Sequence, residues 1–227
     1  MIRYSLITKK MQREFVLLQG NGCSWRRCTF CDYYTDMSNN PFLVNKKVLA
    51  NVTGQFGVLD IINSGSCIEL DEATVNLIAE LVQEKPIHTL WFEAHWMYRY
   101  KLNDFAARFP GVAVKFRTGI ETFDTHMRSR WNKGIPNSIT VSNITRYFQG
   151  VCLLVGVVGQ TREAISRDIE IAMACFEYIS VNVFVENTTK EKRDNALVDW
   201  FIQEWGEKLR LSPKADILLY NTDLGVG

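Results

Sequence analysis

The sequence predicts an α/β fold of parallel strands, arranged as an incomplete (β/α)6 barrel of the TIM-like type. Short apolar runs rich in Val, Ile, Leu and Phe show little alternation, as expected of strands buried on both faces. Amphipathic segments separate these runs, and strand–helix alternation is typical of parallel strands with right-handed crossovers. A complete eight-unit barrel typically needs about 250 residues. The 227 residues, which include a long loop, therefore predict a barrel that stops short of closure.

The individual elements follow from these patterns in sequence order. Apolar runs predict strands at residues 15–18, 58–63, 89–93, 113–119, 151–156 and 179–184, with a weaker one at 217–220. Apolar residues along one face predict helices at 71–84, 162–176 and 194–209. No Pro/Gly-rich linker, low-complexity tract or repeat divides the sequence, so we expect one domain over residues 1–227.

Composition and charge narrow the class of protein. The sequence is 47% hydrophobic and 22% charged, which is ordinary for a soluble globular enzyme. A formal net charge of +1 provides no electrostatic footprint for nucleic acid or an anionic membrane, so neither is expected as a partner. The sequence has no apolar run of membrane-spanning length and begins without a signal-peptide core, so a cytoplasmic location with reduced thiols is expected. Three cysteines that stand singly in apolar surroundings are expected to be buried: Cys67, Cys152 and Cys175.

A loop at residues 20–36 carries the most specific chemical signal. Cys23, Cys28 and Cys31 fall within nine residues. Each iron of a [4Fe-4S] cluster normally takes one cysteine, so three thiolates leave one iron open to another ligand. The spacing of Cys28 and Cys31 also fits half of a zinc site, whose fourth ligand would be Cys67, His88 or His95.

Polar residues and glycines follow the other predicted strands. In barrels of parallel strands, the active site lies on the loops at the carboxyl ends of the strands. The residues found at those positions are Ser64, Gly65, Ser66, Glu93, His95, Arg117, Glu121, Gly156, Gly159, Glu186 and Asn187. Their recurrence after successive strands predicts an active site at that edge.

The motifs of this sequence and their order resemble those of the radical S-adenosylmethionine (SAM) superfamily. Its cluster-binding motif is Cys-x3-Cys-x-aromatic-Cys, and Cys23-x4-Cys28-x-Phe30-Cys31 matches it with one extra residue in the first gap. The Ser-Gly-Ser segment at 64–66 occupies the place of the family's Gly-Gly-Glu segment. Residues 118–121 and 132–134 resemble the fourth-strand pattern of the superfamily branch that includes the coproporphyrinogen dehydrogenases, and residues 154–161 resemble its fifth-strand glycine motif. The resemblance covers roughly residues 15–184 and implies a radical SAM type of barrel.

This resemblance implies a set of cofactors and residue roles. Cys23, Cys28 and Cys31 would hold a [4Fe-4S] cluster, and the open iron would bind SAM. The residues implied in SAM binding are Phe30 near adenine, Ser64, Gly65 and Ser66 at the methionyl amino group, Glu93 and Glu121 at ribose or amino groups, Lys133 at the methionyl carboxylate, and Gly156, Val158 and Gly159 beside adenine. The superfamily pattern has an acidic residue where this sequence has Cys152. The resemblance therefore implies that another residue, such as Glu121, would bind the ribose of SAM.

Within the superfamily, the sequence most resembles the queuine lyases of queuosine salvage. The resemblance rests on the compact size, the cysteine loop, the Ser-Gly-Ser segment and the short C-terminal tail at 210–227, which is expected to cover the barrel mouth. It implies C–N cleavage of queuine to 7-aminomethyl-7-deazaguanine, with an electron donor such as flavodoxin or ferredoxin. Candidate contacts to this 7-deazaguanine substrate are His95, Arg117, Glu186, Asn187 and Asp223.

Two alternatives remain open at this stage, and no catalytic residue beyond the cofactor ligands is assigned. One is a radical SAM enzyme that acts on another small molecule or on tRNA. The other is a zinc-stabilised barrel that binds a ligand without redox chemistry.

Overall fold

The computed structural model describes all residues, 1–227, which form two compact units. The first unit comprises Met1–Arg26, Tyr33–Arg117 and Leu224–Gly227. The second comprises Arg27–Asp32 and Thr118–Asp223. The single domain expected over residues 1–227 stays a prediction.

The first unit is built on a sheet with strand order β1-β2-β3-β4-β5. Its strands are β1 (Tyr4–Ile7), β2 (Arg13–Leu18), β3 (Val58–Asn63), β4 (Thr89–Glu93) and β5 (Ala113–Glu121). Strand β1 is antiparallel to β2, and the pairs from β2 to β5 are parallel. Leu59, Ile61, Leu90 and Phe92 are fully buried, as expected of strands covered on both faces.

Helices α1 (Pro41–Leu49), α2 (Glu72–Glu84) and α3 (Leu102–Ala106) complete the first unit, with 3-10 helices at Tyr33–Thr35, Cys67–Glu69 and Trp96–Lys101. Helix α2 begins where the Asp71 side chain accepts a hydrogen bond from the Thr74 backbone N–H. Its buried face includes Val75, Ile78 and Leu81, at the helical spacing that the sequence predicts.

In the second unit, the last residues of β5 are followed in sheet order by β6 (Gly150–Val155), β7 (Tyr178–Val183) and β8 (Ala215–Leu218). The pairs β6–β7 and β7–β8 are parallel. The helices of this unit are α4 (Thr125–Arg130), α5 (Val141–Thr145), α6 (Arg162–Cys175) and α7 (Asn195–Leu211). The predicted α/β class, with parallel strands and helical crossovers, is confirmed.

The predicted elements are present within about two residues of their expected bounds, but several others are not predicted. Strand β1 is only four residues long and antiparallel, so the rule of parallel strands gives no reason to expect it. Helix α1 has a recognisable start, because the side chain of Asn40 caps it and Pro41 occupies its first turn. No helix has the length and apolarity needed to cross a bilayer.

The lone cysteines differ from one another in burial. Cys67 and Cys152 are buried as predicted, and burial raises the pKa of the Cys67 thiol well above its ordinary value. The prediction for Cys175 is wrong, because this residue is exposed. The buried face of α6 includes Ile169 and Ala172 and continues four residues later at Phe176. Cys175, the last residue of the helix, lies off that face.

Three charged residues from three strands form an ion cluster inside the first unit. Asp60 of β3 accepts hydrogen bonds from Arg13 Nε at 2.9 Å and from Arg117 Nη2 at 2.9 Å. Arg13 and Asp60 are fully buried, and Arg117 is 3% exposed. A carboxylate between two guanidinium groups compensates much of the cost of burying these charges.

A second buried acid belongs to α6 in the second unit. Asp168 is 2% exposed and accepts hydrogen bonds from Thr122 Oγ1 at 2.6 Å and from the Phe123 N–H at 2.8 Å. Burial raises the pKa of Asp168 to about 6, although both hydrogen bonds act to lower it. The folded protein therefore holds this proton more tightly than the unfolded protein does.

This raised pKa predicts a pH dependence of stability. Between about pH 4 and pH 6, the folded state still holds the Asp168 proton while the unfolded state has already lost it, so the free energy of unfolding should fall by roughly 3 kcal/mol as pH rises through this window. In Asp168→Asn this part of the decline should disappear, as measured by denaturant unfolding at pH 4, 5, 6 and 7. Asp199→Asn, which changes an exposed carboxylate on α7, is the control and should follow the wild type. Parallel curves for Asp168→Asn and the wild type would contradict the assignment.

Candidate active site

In the first unit, the Ser-Gly-Ser segment lies directly against Cys23. A Cβ atom added at Gly65 would lie 3.2 Å from Cys23 Cα and 3.2 Å from the Gly22 carbonyl oxygen, and it would collide with the carboxylate of Glu69. A side chain here would have to displace the Glu69 carboxylate and crowd the backbone at Cys23, which glycine avoids. The two sequence motifs predicted at the active site are therefore adjacent at this point.

The carboxylate of Glu69 holds both of these segments. Its Oε1 accepts hydrogen bonds from the Ser24 N–H at 2.7 Å and from the Tyr98 hydroxyl at 2.8 Å. Its Oε2 accepts from the Ser66 N–H at 2.6 Å. Burial and the Glu69 carboxylate raise the pKa of Tyr98, so its hydroxyl remains a neutral donor.

The two serines of the segment differ in their partners. Ser66 Oγ accepts a hydrogen bond from the His95 N–H at 3.0 Å. Ser64 Oγ is buried and has no hydrogen-bond partner within the protein. Leaving a buried hydroxyl unsatisfied is costly, so Ser64 is suited to a ligand that completes its hydrogen bonding.

The other predicted residues of the first unit lie at the ends of β4 and β5. The ring of His95 stacks on Trp25 of the cysteine loop, with centroids 5.4 Å apart. The Glu93 side chain is 36% exposed, and its Oε2 lies 3.9 Å from Arg117 Nε. Arg117 itself belongs to the buried cluster with Asp60, so its contact with a substrate stays a prediction.

In the second unit, Cys28 and Cys31 pack against an apolar cluster. Its members are Phe30, Met127, Trp131, Leu154, Val157 and Phe184. The rings of Phe30 and Trp131 meet edge to face, with centroids 5.5 Å apart. Such surroundings exclude water from one side of the two thiols.

The Arg27–Asp32 segment is anchored by hydrogen bonds to two other loops. The loop after α4 contributes the Trp131 carbonyl, which accepts from the Thr29 N–H at 3.1 Å, and Asn132 Nδ2, which donates to the Arg27 carbonyl at 3.1 Å. The loop after β7 contributes Asn187 Nδ2, which donates to the Phe30 carbonyl at 2.8 Å. The sequence predicts Asn187 as a substrate contact, and in the structure its amide positions the cysteine loop.

A buried carboxylate adds a further anchor. Glu191 is 5% exposed, and its Oε1 accepts from Thr29 Oγ1 at 2.6 Å. Its Oε2 accepts from Arg130 Nη2 at 3.1 Å, and Arg130 Nη1 donates to the Val158 carbonyl at 3.0 Å. Glu191 and Arg130 thus connect the cysteine loop to the glycine motif that follows β6.

That glycine motif has the backbone conformation that its sequence predicts. Gly156 and Gly159 have φ values of +86° and +96°, which favour glycine. A Cβ at Gly159 would collide with the Arg130 guanidinium. Val158 between them is 45% exposed, so its side chain is available to a ligand.

Glu121 and Lys133 form a buried ion pair beside the second and third cysteines. Lys133 Nζ donates to Glu121 Oε1 at 2.8 Å and lies 5.6 Å from the centroid of the Phe30 ring. Burial alone would lower the pKa of Lys133, but the negative charges of Glu121, Cys28 and Cys31 outweigh it and raise that pKa. Glu121 has φ +66°, a conformation that is uncommon outside glycine and frequent at functional sites.

The remaining predicted substrate residues lie in exposed loops. Glu186 Oε1 accepts from the Arg193 N–H at 3.2 Å, and the Glu186 side chain is 51% exposed. Asp223 Oδ2 accepts from the Leu219 N–H at 2.6 Å and the Tyr220 N–H at 3.0 Å, so it closes a turn within the C-terminal tail. Coverage of a barrel mouth by the tail at 210–227 stays a prediction.

The donor set fits a cluster and SAM in chemical type. Cys23, Cys28 and Cys31 are not in disulfides, and all three have intermediate exposure. The structure contains no group of three or more His, Cys, Asp or Glu side chains close enough to surround one metal ion. A [4Fe-4S] cluster does not require its ligands to surround one ion, because each thiolate binds a separate iron. Ser64 in the first unit and Thr118 in the second each have a buried hydroxyl without a hydrogen-bond partner, which is a group that a polar ligand can satisfy.

Five residues that anchor these segments have no role predicted from the sequence: Glu69, Tyr98, Arg130, Asn132 and Glu191. A signal was available for Glu69, because Ser66 and Glu69 have the Ser-x-x-Glu spacing of a capping box. The others act across long sequence separations, and local patterns do not indicate such partners.

The solved structures that match this protein include an enzyme that is similar to it over its full length. It is a queuine lyase from Clostridium spiroforme, bound to SAM and queuine, and the two sequences are 40% identical. The match covers 100% of this protein and 99% of that one, with a TM-score of 0.95. No protein-family model and no curated protein sequence matches.

The contact between Glu191 and Thr29 predicts an energetic coupling. Glu191→Gln replaces a charged acceptor, so the free energy of unfolding should fall by about 1.5–3 kcal/mol. Thr29→Val removes the donor, and the double variant should lose less than the sum of the single losses, as measured by denaturant unfolding. Glu207→Gln, on the exposed face of α7, is the control and should be nearly neutral. Fully additive losses would contradict the coupling.

Proposed function

Because this protein belongs to the queuine lyase family of radical SAM enzymes, we propose that it cleaves the C–N bond between the cyclopentenediol of queuine and its amine, and releases 7-aminomethyl-7-deazaguanine. The observation that carries this proposal is the 40% identity over the whole length to a queuine lyase that binds SAM and queuine. The zinc-stabilised alternative is set aside, because the family is one of enzymes. No observation favours tRNA or another small molecule as the substrate.

We propose that Cys23, Cys28 and Cys31 hold a [4Fe-4S] cluster. These residues would hold the cluster, which when bound would supply the one electron needed to cleave the sulfonium C–S bond of SAM into methionine and a 5′-deoxyadenosyl radical for hydrogen abstraction from the substrate. The protein itself orients the reactants and keeps water away from them. The apolar cluster beside Cys28 and Cys31 supports this role, because it covers one side of those thiols.

Charged and polar groups are proposed to position SAM. Lys133 is suited to the methionyl carboxylate, because its ammonium group is kept protonated beside Glu121. Ser64, Gly65 and Ser66 are proposed at the methionyl amino group, which the unsatisfied hydroxyl of Ser64 supports. Glu121 is proposed at the ribose, because the resemblance to the superfamily implies an acidic residue at the position of Cys152, and a thiol offers no carboxylate there.

The adenine of SAM requires apolar contacts and backbone hydrogen bonds. Phe30 and Val158 are proposed to contact its faces, and the loop from Gly156 to Gly159 to present backbone groups to its edge. The exposed side chain of Val158 supports this assignment. Glu93 stays a proposed contact to a ribose or amino group, supported by its partial exposure at the end of β4.

For queuine, Glu186 and His95 are the stronger of the proposed contacts. The Glu186 carboxylate is half exposed and can accept hydrogen bonds from an amino-pyrimidinone edge. Asn187 and Asp223 each make two hydrogen bonds to the backbone, and Arg117 is bound to Asp60. By contrast, the Glu186 carboxylate accepts one backbone hydrogen bond, from the Arg193 N–H, and His95 Nδ1 accepts one from the Met97 N–H. A carboxylate matched to the substrate edge discriminates well, because leaving it unpaired is costly.

The electron donor and the location are also proposals. A flavodoxin or ferredoxin is proposed as the electron donor. The cytoplasm is proposed as the location, because a reducing compartment keeps cysteine ligands available.

Incubation of the anaerobically reconstituted, reduced protein with SAM and queuine tests the proposed function. We expect 5′-deoxyadenosine and 7-aminomethyl-7-deazaguanine, detected by mass spectrometry. Release of 5′-deoxyadenosine without the aminomethyl product would contradict queuine as the substrate, but it would still support radical SAM chemistry.

Substitution of a proposed ligand tests the cluster. Cys28→Ala should lose the visible absorbance of the cluster, most of the about four irons per protein molecule and all SAM cleavage. Cys175→Ala is the matched control, because this thiol is exposed and lies outside the loop, and it should keep all three properties. Retained SAM cleavage in Cys28→Ala would contradict the ligand assignment.

A further inference from the structure

Glu69 joins three segments of the first unit through one carboxylate. The two carboxylate oxygens of Glu69 accept hydrogen bonds from the Ser24 N–H, the Ser66 N–H and the Tyr98 hydroxyl. Ser24 directly follows the proposed cluster ligand Cys23, and Ser66 ends the proposed SAM-binding segment. Tyr98 belongs to the 3-10 helix that follows β4.

The geometry of this junction leaves little freedom. The two backbone contacts, at 2.7 and 2.6 Å, are short and charge-assisted, which makes them stronger than neutral hydrogen bonds. The backbone at Gly65, directly before Ser66, packs closely against Cys23 and the Glu69 carboxylate. The position of Cys23 relative to Ser64 and Ser66 therefore depends on a side chain that is neither a thiol nor a member of the Ser-Gly-Ser motif.

Each oxygen of Glu69 accepts from at least one backbone N–H, so a carboxylate suits this position better than an amide does. In a glutamine, one of the two positions becomes an NH2 group, which would face an N–H as donor against donor. The glutamine would also lack the negative charge that shortens these contacts. Removing the Tyr98 hydroxyl is milder, because both backbone donors keep their acceptor.

We propose that Glu69 is a positioning residue that sets the placement of Cys23 against the segment 64–66, and so fixes how SAM meets the cluster. This inference rests on the proposed roles of Cys23, Ser64 and Ser66. Cys28 and Cys31 are anchored separately within the second unit, so loss of Glu69 should impair SAM binding more than cluster retention.

The test compares Glu69→Gln, Tyr98→Phe and the control Glu72→Gln in the reconstituted protein. Glu72 lies three residues from Glu69, and its side chain is 79% exposed and paired with Arg108. For Glu69→Gln we expect the KM for SAM in dithionite-driven cleavage to rise about tenfold to a hundredfold, with a smaller change in kcat. Tyr98→Phe should shift KM in the same direction by a few-fold, and Glu72→Gln should match the wild type.

Two readouts separate positioning from a general loss of stability. The electron paramagnetic resonance spectrum of the reduced cluster should respond to saturating SAM differently in Glu69→Gln than in the wild type. In the protein without cluster, hydrogen exchange at the Ser24 and Ser66 amides should accelerate in Glu69→Gln, while exchange at the Thr29 amide stays unchanged. A lowered melting temperature with unchanged KM, spectrum and local exchange would overturn the proposal.

The outcome is independent of queuine, because SAM cleavage, the spectrum and hydrogen exchange need no substrate. If the wild type fails with queuine but Glu69→Gln behaves as expected, the substrate is wrong and the positioning role stands. If Glu69→Gln does not fold, Tyr98→Phe decides the question, and an unchanged KM in that variant would count against the proposal.

Discussion

Hydrogen bonds from side chains to the backbone hold the cysteine loop, and the presentation of its thiols depends on them. No helix or strand lies between Leu18 and Tyr33, so the loop has no ladder of its own to fix its shape. Glu69 binds the N–H beside Cys23. Asn187 and Asn132 bind carbonyls around Cys28 and Cys31. Carboxylates are placed where the loop presents donors, and amides where it presents acceptors.

Buried carboxylates and hydroxyl groups recur around the proposed cofactor site, and they differ in whether they have partners. Buried carboxylates are each matched by a nearby donor: Glu121 by Lys133, and Glu191 by Thr29 and Arg130. The hydroxyl groups of Ser64 and Thr118 remain buried without a hydrogen-bond partner. Leaving a neutral hydroxyl open costs far less than leaving a charge open, so a cofactor can leave and return without exposing an uncompensated ion.

The sequence predicts the alternation of strands and helices well, because that pattern is local. The predicted strand at 89–93 coincides with β4, and the predicted helix at 71–84 differs from α2 by one residue. The motifs at Cys23, Gly65 and Gly159 could also be predicted, since each reflects a local demand for a thiol or for a residue without a side chain. The partners of these motifs could not. Glu191 contacts Thr29 across 162 positions of the sequence, and no periodicity connects such distant residues.

The ion cluster of Arg13, Asp60 and Arg117 has an evolutionary consequence. Its members come from β2, β3 and β5, so no single insertion, deletion or local rearrangement can replace them together. Replacing Asp60 alone would strand two guanidinium groups in the interior, at a cost of several kcal/mol in systems of this kind. Among relatives, these positions should therefore covary, either keeping all the charges or exchanging them together for apolar residues.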